Sequence, residues 1–542
     1  MQIADTILLS SAVFTANTLE PMAGGVAVAG DRIIAVGSKD TVMAYAGDET
    51  KVMDFGDKLV MPGFNDSHMH FPRGSAFSDE MTCINLLDVK SAQECADAVA
   101  EFDKKYPGTG WVFGWGWYQD VFTDPTPPTR QMLDATGVDR PICLTDFSMH
   151  IVWVNTKALE TVGVDENTPV PMGCELQKDE NGQLTGIGNE VPVTDWFGVP
   201  ALTIADLPGL FKRSMTRLNQ IGITAVGDMY PYGISNENIY ETYGELEQND
   251  ELSLRISFFP SGNDAEAAAE WRAQYHSDKL RCAGVKLILD GIVEERTAFM
   301  KEPYLGAPEG DSHCGEPNYT QEELNRLVSA ADAAGLPARI HAIGDGSAHM
   351  IVRAVEQAEA EHGSKGMRFG IEHTDNLDIE DIKAMHRLGI GAAVQPIHAI
   401  GGLPLGIYED MIGPGRTSHM WRYRDLVDND VHMGLGTDWP ACLSIRPLDT
   451  IYAAVTRSDL ENTHPEGYYK QNAITLGEAL QAHTLGSAYM EGFDNQIGSL
   501  ATGKFADIVV IDRNLFAIDP HEIHDAQVEL TMFNGKVVYQ KN

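Results

Sequence analysis

Four histidines, one lysine and one aspartate, His68, His70, Lys286, His341, His373 and Asp438, each stand at or near the end of a short apolar run of strand character. A neutral imidazole nitrogen and a carboxylate oxygen both donate to divalent cations, and a set dominated by imidazole suits zinc better than calcium or magnesium. Manganese or iron fits the same donors. Lys286 is the odd member, because a protonated ammonium has no lone pair and would repel a cation. If its amine loses the proton and takes up carbon dioxide, the resulting carbamate is an anion able to bridge two metals. Two divalent cations, one carbamate, Asp438 and a bridging hydroxide sum to about +1, a charge that attracts developing negative charge on a substrate. The alternatives are plain ones. A histidine in a strand is more often a packed residue than a ligand, Lys286 could sit in a structural ion pair, and Asp438 could cap a helix.

The elements that must position these residues can be read from the pattern around them. In Val60-Met-Pro-Gly-Phe-Asn-Asp-Ser-His-Met-His70, alternation with a period of two puts both imidazoles on one side of an extended segment. The others lie in the runs Gly284-Val-Lys286-Leu-Ile-Leu-Asp290, Leu336-Pro-Ala-Arg-Ile-His341, Arg368-Phe-Gly-Ile-Glu-His373 and Val431-His-Met-Gly-Leu-Gly-Thr-Asp438, each with a polar residue at or near its C-terminal end. Eight candidate strands emerge, at 60–66, 223–228, 253–259, 284–290, 337–342, 368–373, 391–395 and 431–437, with helical stretches at 320–334, 347–361 and 378–388 between later ones. Alternating strands and helices predict an α/β fold, and eight repeats predict a (β/α)8 TIM-like barrel over 61–489 with its chemistry at the C-terminal strand ends. The first two strands are too far apart for one repeat, so an insertion at about 71–215 is expected, forming a lid or substrate wall. It carries the aromatic segment Gly110-Trp-Val-Phe-Gly-Trp-Gly-Trp-Tyr118. Residues 1–60 and 490–542 read as short strands with hairpin turns at Gly30-Asp31 and Asn534-Gly535, so a discontinuous β-sandwich built from both termini is expected.

Composition narrows the function classes. The chain has 542 residues, 43% of them hydrophobic, enough for a large core beside a smaller domain. Asp and Glu number 79 against 39 Lys and Arg, a formal net charge of -40, which argues against nucleic acid or an anionic membrane as partner. The seven cysteines are scattered without any Cys-x-x-Cys, as expected of a reducing cytoplasm and not of a disulfide framework or a thiolate zinc site. The N-terminal apolar stretch has no Lys or Arg before it and reads as a strand, not a signal peptide. No uncharged apolar run approaches the ~20 residues that span a bilayer. A soluble protein acting on a small molecule is expected, and its size and terminal β-domain are compatible with a homodimer.

Taken together, the motifs carry a resemblance. Met61-Pro-Gly-Phe-Asn-Asp-Ser-His-Met-His70, followed by His341-Ala-Ile-Gly-Asp345, Glu372-His373, Gln395-Pro-Ile-His398 and Gly436-Thr-Asp438, resembles the amidohydrolase superfamily. More narrowly, the chain is similar to the branch of family 3 type metal-dependent hydrolases that includes N-substituted formamide deformylases. Further matching strings are Pro141-Ile-Cys-Leu-Thr-Asp-Phe-Ser-Met-His150, Gly182-Gln-Leu-Thr-Gly186 with Glu190, Lys286-Leu-Ile-Leu-Asp-Gly291 with Arg296-Thr-Ala298, and Leu500-Ala-Thr-Gly-Lys-Phe-Ala-Asp507. The resemblance implies that His68 and His70 hold one metal, His341 and His373 the other, that carboxylated Lys286 bridges them and that Asp438 completes the first site. It implies hydrolysis of a C–N bond in an amide, formamide or cyclic amide by metal-activated hydroxide, with Asp438 as the proton carrier. His150, Arg296, Gln395 and His398 become candidates for holding the carbonyl oxygen or a substrate anion. Trp115, Trp117 and Tyr118 are candidates for an aromatic wall, with core packing as the alternative. Ester, lactone or C–C hydrolysis by the same centre, or a non-catalytic scaffold, remain open readings. One departure stands out. Where the family usually carries small or hydroxyl residues, this chain has Ile292-Val-Glu-Glu295, whose carboxylates would disfavour anionic substrates and favour an amine or cationic leaving group.

Overall fold

The computed structural model describes residues 2–119, 122–147, 151–170, 175–189, 206–230, 236–306, 313–401, 405–442 and 444–541. The chain divides into two compact units, Met1–Phe71 with Met215–Tyr230 and Tyr243–Asn542, and Pro72–Ser214 with Pro231–Thr242. All eight expected strands are present in the first unit: β1 (Phe64–Met69), β2 (Ile223–Met229), β3 (Arg255–Phe259), β4 (Val285–Ile288), β5 (Ala338–Ala342), β6 (Gly370–His373), β7 (Gly391–Val394) and β8 (Met433–Leu435). Nearly every residue in them is buried, which is why they read as apolar runs broken only by a few polar residues.

The strands pair in parallel, but they form two sheets and not the single closed ladder expected from eight repeats. β1 to β3, with an edge strand Leu280–Cys282, make a four-stranded sheet; β4 to β8 make a five-stranded one. The break has a local cause. One extended segment changes partners at Gly284: Leu280–Cys282 pairs with β3, whereas Val285–Ile288 pairs with β5. A Cβ at Gly284 would lie 2.2 Å from the Pro337 carbonyl oxygen, so the change of partner requires glycine. Individual bonds still cross both seams. The Lys286 N–H donates to the Pro260 carbonyl at 2.7 Å, the Asp438 N–H to that of His68 at 2.8 Å, and the His70 N–H to that of Trp439 at 2.8 Å.

Helices Gln321–Ala333, Asp345–His362 and Ile379–Leu388 separate β4, β5, β6 and β7. The first opens with a capping box between Thr320 and Glu323, and the third stops at Gly389 in left-handed conformation. Among the described residues, no helix is long and apolar enough to cross a membrane.

Both chain ends build one sheet of eight strands in the same unit. Its order is Lys536–Gln540, Val528–Phe533, Ile508–Ile511, Leu59–Pro62, Thr6–Val13, Met22–Ala29 and Arg32–Gly37, with Lys51–Asp54 also paired to Thr6–Val13. Strands from both termini join one continuous ladder, because Leu59–Pro62 pairs with Thr6–Val13 on one side and Ile508–Ile511 on the other. Leu8, Val26, Val60, Ile508 and Leu530 share one buried cluster, which joins the two termini across that ladder. The second unit has its own six-stranded sheet, ordered Glu175–Lys178, Leu184–Asn189, Ile151–Val154, Ile142–Asp146, Val112–Trp117 and Ile84–Asn85.

Candidate metal centre

The ends of β1, β6 and β8 bring the key donors together. His68 Nε2 lies 3.2 Å and His70 Nε2 3.3 Å from the same Asp438 oxygen, Oδ1. Ligand atoms of His68, His373 and Asp438 all fall within 4.8 Å of one another, and all three residues are buried. The His373 ring sits 4.8 Å from that of His68 and 4.4 Å from that of His341. His341 is therefore beside the cluster without adding an atom to its tightest group.

The backbone is bent to achieve this. The ladder between β1 and β2 shifts register after Asp66, so β1 has an extra residue where His68 emerges. His373 and Asp438 hold left-handed backbone, with φ of 72° and 62°, a costly conformation that clusters at functional sites. Gly436 lets the chain pass close to β1, since a Cβ there would meet the His68 nitrogen at 2.7 Å and Asp66 Oδ1 at 2.9 Å. Asp66 stitches the two ends together: Oδ1 accepts from the backbone N–H groups of His68 and Thr437, each at 3.1 Å, and Oδ2 from the Thr437 hydroxyl at 2.7 Å.

Partners of the outer ring nitrogens show which nitrogen faces the centre. His70 Nδ1 is 3.0 Å from the carbonyl oxygens of Met229 and Tyr230, which only accept, so Nδ1 carries the proton and Nε2 the lone pair. His68 Nδ1 meets the Glu372 carboxylate. His373 Nδ1 lies 2.8 Å from Gln395 Oε1. His341 Nε2 lies 3.4 Å from the Gly291 carbonyl oxygen, the loosest contact of the four.

Electrostatics agree with a cation site. Burial, reinforced by the Lys286 charge, pushes the His341 imidazole down to about 3, and burial with His341 beside it holds His373 well below its ordinary value. Both are neutral donors at pH 7. Burial alone would raise Asp438, but the His68 charge and the adjacent His68 and His70 nitrogens outweigh it and keep the carboxyl ionised. Burial draws Lys286 down to about 8 against the opposing pull of Glu372 and Asp438. Roughly a tenth of it is then free amine at pH 7. His68 Nε2, Asp438 Oδ1 and Lys286 Nζ are all buried without a hydrogen-bond partner. Buried polar atoms of this kind are normally satisfied, and imidazole nitrogens beside an ionised carboxylate oxygen are donors a divalent cation takes. Asp438 does not cap a helix; its own N–H bonds to His68.

The remaining candidates divide. Gln395 is 2% exposed and commits Oε1 to His373, so it orients that imidazole. His398 stacks 6.4 Å from His373, and its Nε2 lies 2.9 Å from the Ala441 carbonyl oxygen. Arg296 is half-buried with a left-handed φ of 58°, and its guanidinium makes no ion pair among the described residues. Trp117 is 1% exposed and packs against Trp153 and Phe122 inside the core of the second unit, which makes it a packing residue and not part of an aromatic wall. Trp115 is stacked between Phe77 and Phe147 in that unit and is likewise enclosed, whereas Tyr118 is half-exposed. His150 lies outside the described residues.

Sequence reasoning missed two contributors. Arg339 and Glu372 are fully buried on adjacent strands and pair with each other. The signal was available: a charge inside an apolar strand run needs a partner, and each of these runs carries one of opposite sign.

Residues 51–539 match the model of the amidohydrolase family, so the chain belongs to that family. A putative amidohydrolase, YtcJ, from Bacillus subtilis (strain 168) is 27% identical over 548 residues, covering 95% of this chain and 97% of that protein. An N-substituted formamide deformylase from Arthrobacter pascens is 24% identical over 563 residues, covering 100% and 99%. The fold matches the crystal structure of an uncharacterized metal-dependent hydrolase from Pyrococcus furiosus, with a TM-score of 0.75 at 25% identity over 95% of this chain and 99% of that one.

Proposed function

We propose that the protein is a metal-dependent hydrolase that cleaves a C–N bond in an amide, formamide or cyclic amide. The observation that carries this reading is the convergence of His68 Nε2 and His70 Nε2 on Asp438 Oδ1, with His373 and the unpartnered Lys286 amine beside them. The relationship to a formamide deformylase favours amide-type substrates over esters. The two parallel sheets are read here as halves of a (β/α)8 barrel, an assignment supported by the bonds that cross both seams.

His68, His70 and Asp438 would hold one zinc ion and His341 and His373 a second, with Lys286, as its carbamate, between them. A bound cation of this kind lowers the pKa of water to about 7 and polarises a carbonyl. The side chains supply the rest. Asp438, kept ionised, would accept the proton of the attacking water and return it to the departing nitrogen. Among the described residues, Arg296 and His398 are the candidates to orient the substrate. The Glu294 carboxylate biases the choice of leaving group: burial first and its charge second push Asp375 up to about 8, so a further anion beside Glu294 is disfavoured. Neutral or cationic amides should outcompete acidic N-acyl amino acids.

The test is zinc content together with a hydrolysis screen over N-formyl and N-acyl amines of differing charge. About two equivalents of metal and turnover lost on chelation support the proposal. A folded protein that binds no zinc removes it.

A further inference from the structure

Three imidazoles of the centre are oriented through Nδ1, but by acceptors of unequal charge. His70 uses neutral backbone carbonyls and His373 a neutral amide oxygen, whereas His68 meets the carboxylate of Glu372. That carboxylate is itself clamped. Arg339 donates to it through Nε and, at 3.1 Å, through Nη2, and the same guanidinium donates to the carbonyls of Ser67 at 3.1 Å and Met490 at 3.4 Å. Arg339, Glu372 and His68 are each 0% exposed. One guanidinium therefore fixes both the partner of the His68 ring and the backbone immediately before it, and links β1, β5 and β6.

We infer that Glu372, held by Arg339, is a positioning residue that makes His68 the strongest donor of the centre, so that the cation at His68, His70 and Asp438 is the tighter one. An imidazole whose N–H is shared with a carboxylate is more basic at its other nitrogen than one bonded to a neutral oxygen, and outer contacts of this kind set metal affinity. The loose Gly291 contact of His341 and the neutral Gln395 contact of His373 leave the other half of the centre with weaker donors. This inference rests on the metal-hydrolase reading above. A buried Arg–Glu pair serving only stability would look similar in burial but would not govern metal affinity.

The experiment is competition of the zinc-stripped full-length protein against a chelator of known affinity, with bound zinc counted. Glu372→Gln should weaken the first equivalent of zinc by roughly 10–100-fold. Gln395→Ala should weaken it by less than about threefold and act mainly on the second equivalent. Because Glu372→Gln leaves the buried Arg339 charge without its partner, the double variant Glu372→Gln with Arg339→Met is measured alongside, and the same loss is expected from it. First-equivalent affinity within twofold of wild type in either Glu372 variant overturns the inference, as does an equal loss from Gln395→Ala. A lowered melting temperature of the zinc-free protein with unchanged affinity assigns the pair to stability alone and also overturns it. Failure of the underlying reading looks different: wild-type protein would then bind no zinc.

Discussion

The two halves of the centre are built from the same residue types but supported differently. Around His68, His70 and Asp438, every group has a firm anchor: a clamped carboxylate, two carbonyls at 3.0 Å, and the Asp66 stitch between β1 and β8. Around His341 and His373 the anchors are neutral and one is 3.4 Å long. A shared ligand chemistry thus conceals a difference in preorganisation. On the proposed reading it places the stronger grip, and the proton carrier, on the β1 and β8 side.

The largest break in that comparison should come from Asp438→Asn. It keeps the shape but removes both an anionic ligand and the proton carrier, and kcat should fall by roughly 10²–10⁴-fold, read by steady-state hydrolysis. His341→Asn, on the weaker side, should cost the second equivalent of zinc while leaving the first bound, which zinc counting after dialysis would show. Gly436→Ala pushes a methyl into the His68 backbone and Asp66, a contact with no flexible atom to yield. It should cost about 1–3 kcal/mol in chemical denaturation and weaken metal binding at the anchored half.

Glu491 sharpens the role of Arg339 from the other direction. This carboxyl is 2% exposed, and burial raises it from 4.5 to about 7 despite nearby Ser257, Asn65 and Arg339. Its folded value lies above its unfolded one, so its favourable contribution is complete below pH 4.5 and is lost as pH rises through about 7. Glu491→Gln, neutral at every pH, should therefore raise stability at pH 8 by up to ~3 kcal/mol and change little at pH 4.5. Equal effects at both pH values would mean that the carboxylate is better paired than its surroundings indicate. The smallest effect is expected from Trp117→Phe: a lower melting temperature, with zinc content and kcat/KM within twofold of wild type.

Much of this centre was legible because parallel strands buried on both faces leave few places for polar side chains. His68, His341, His373 and Asp438 were conspicuous as polar ends of apolar runs and Lys286 as a charge inside one, and all eight strands were found where apolar runs stood. What failed did so for local reasons. The switch of partners at Gly284 splits the ladder, and no periodicity records which neighbour a strand chooses. The terminal strands announced themselves as strands, but whether they form two sheets or one depends on Leu59–Pro62 pairing on both edges. That Gln395 would meet the His373 ring had no signal, because a polar residue at a strand end can face either a pocket or a neighbouring side chain. For Trp117 the sequence left an aromatic wall and core packing open, and the core of its own unit encloses it. Left-handed backbone at His373 and Asp438 had no sequence signal, since neither residue is glycine.

The most direct measurement is stepwise return of zinc to chelator-stripped wild-type protein, following zinc bound and hydrolysis of an N-formyl amine in the same sample. The account predicts that about two equivalents are taken up in two affinity classes and that turnover appears as they bind. Folded protein that takes up no zinc, or that hydrolyses the substrate equally well without it, would contradict it.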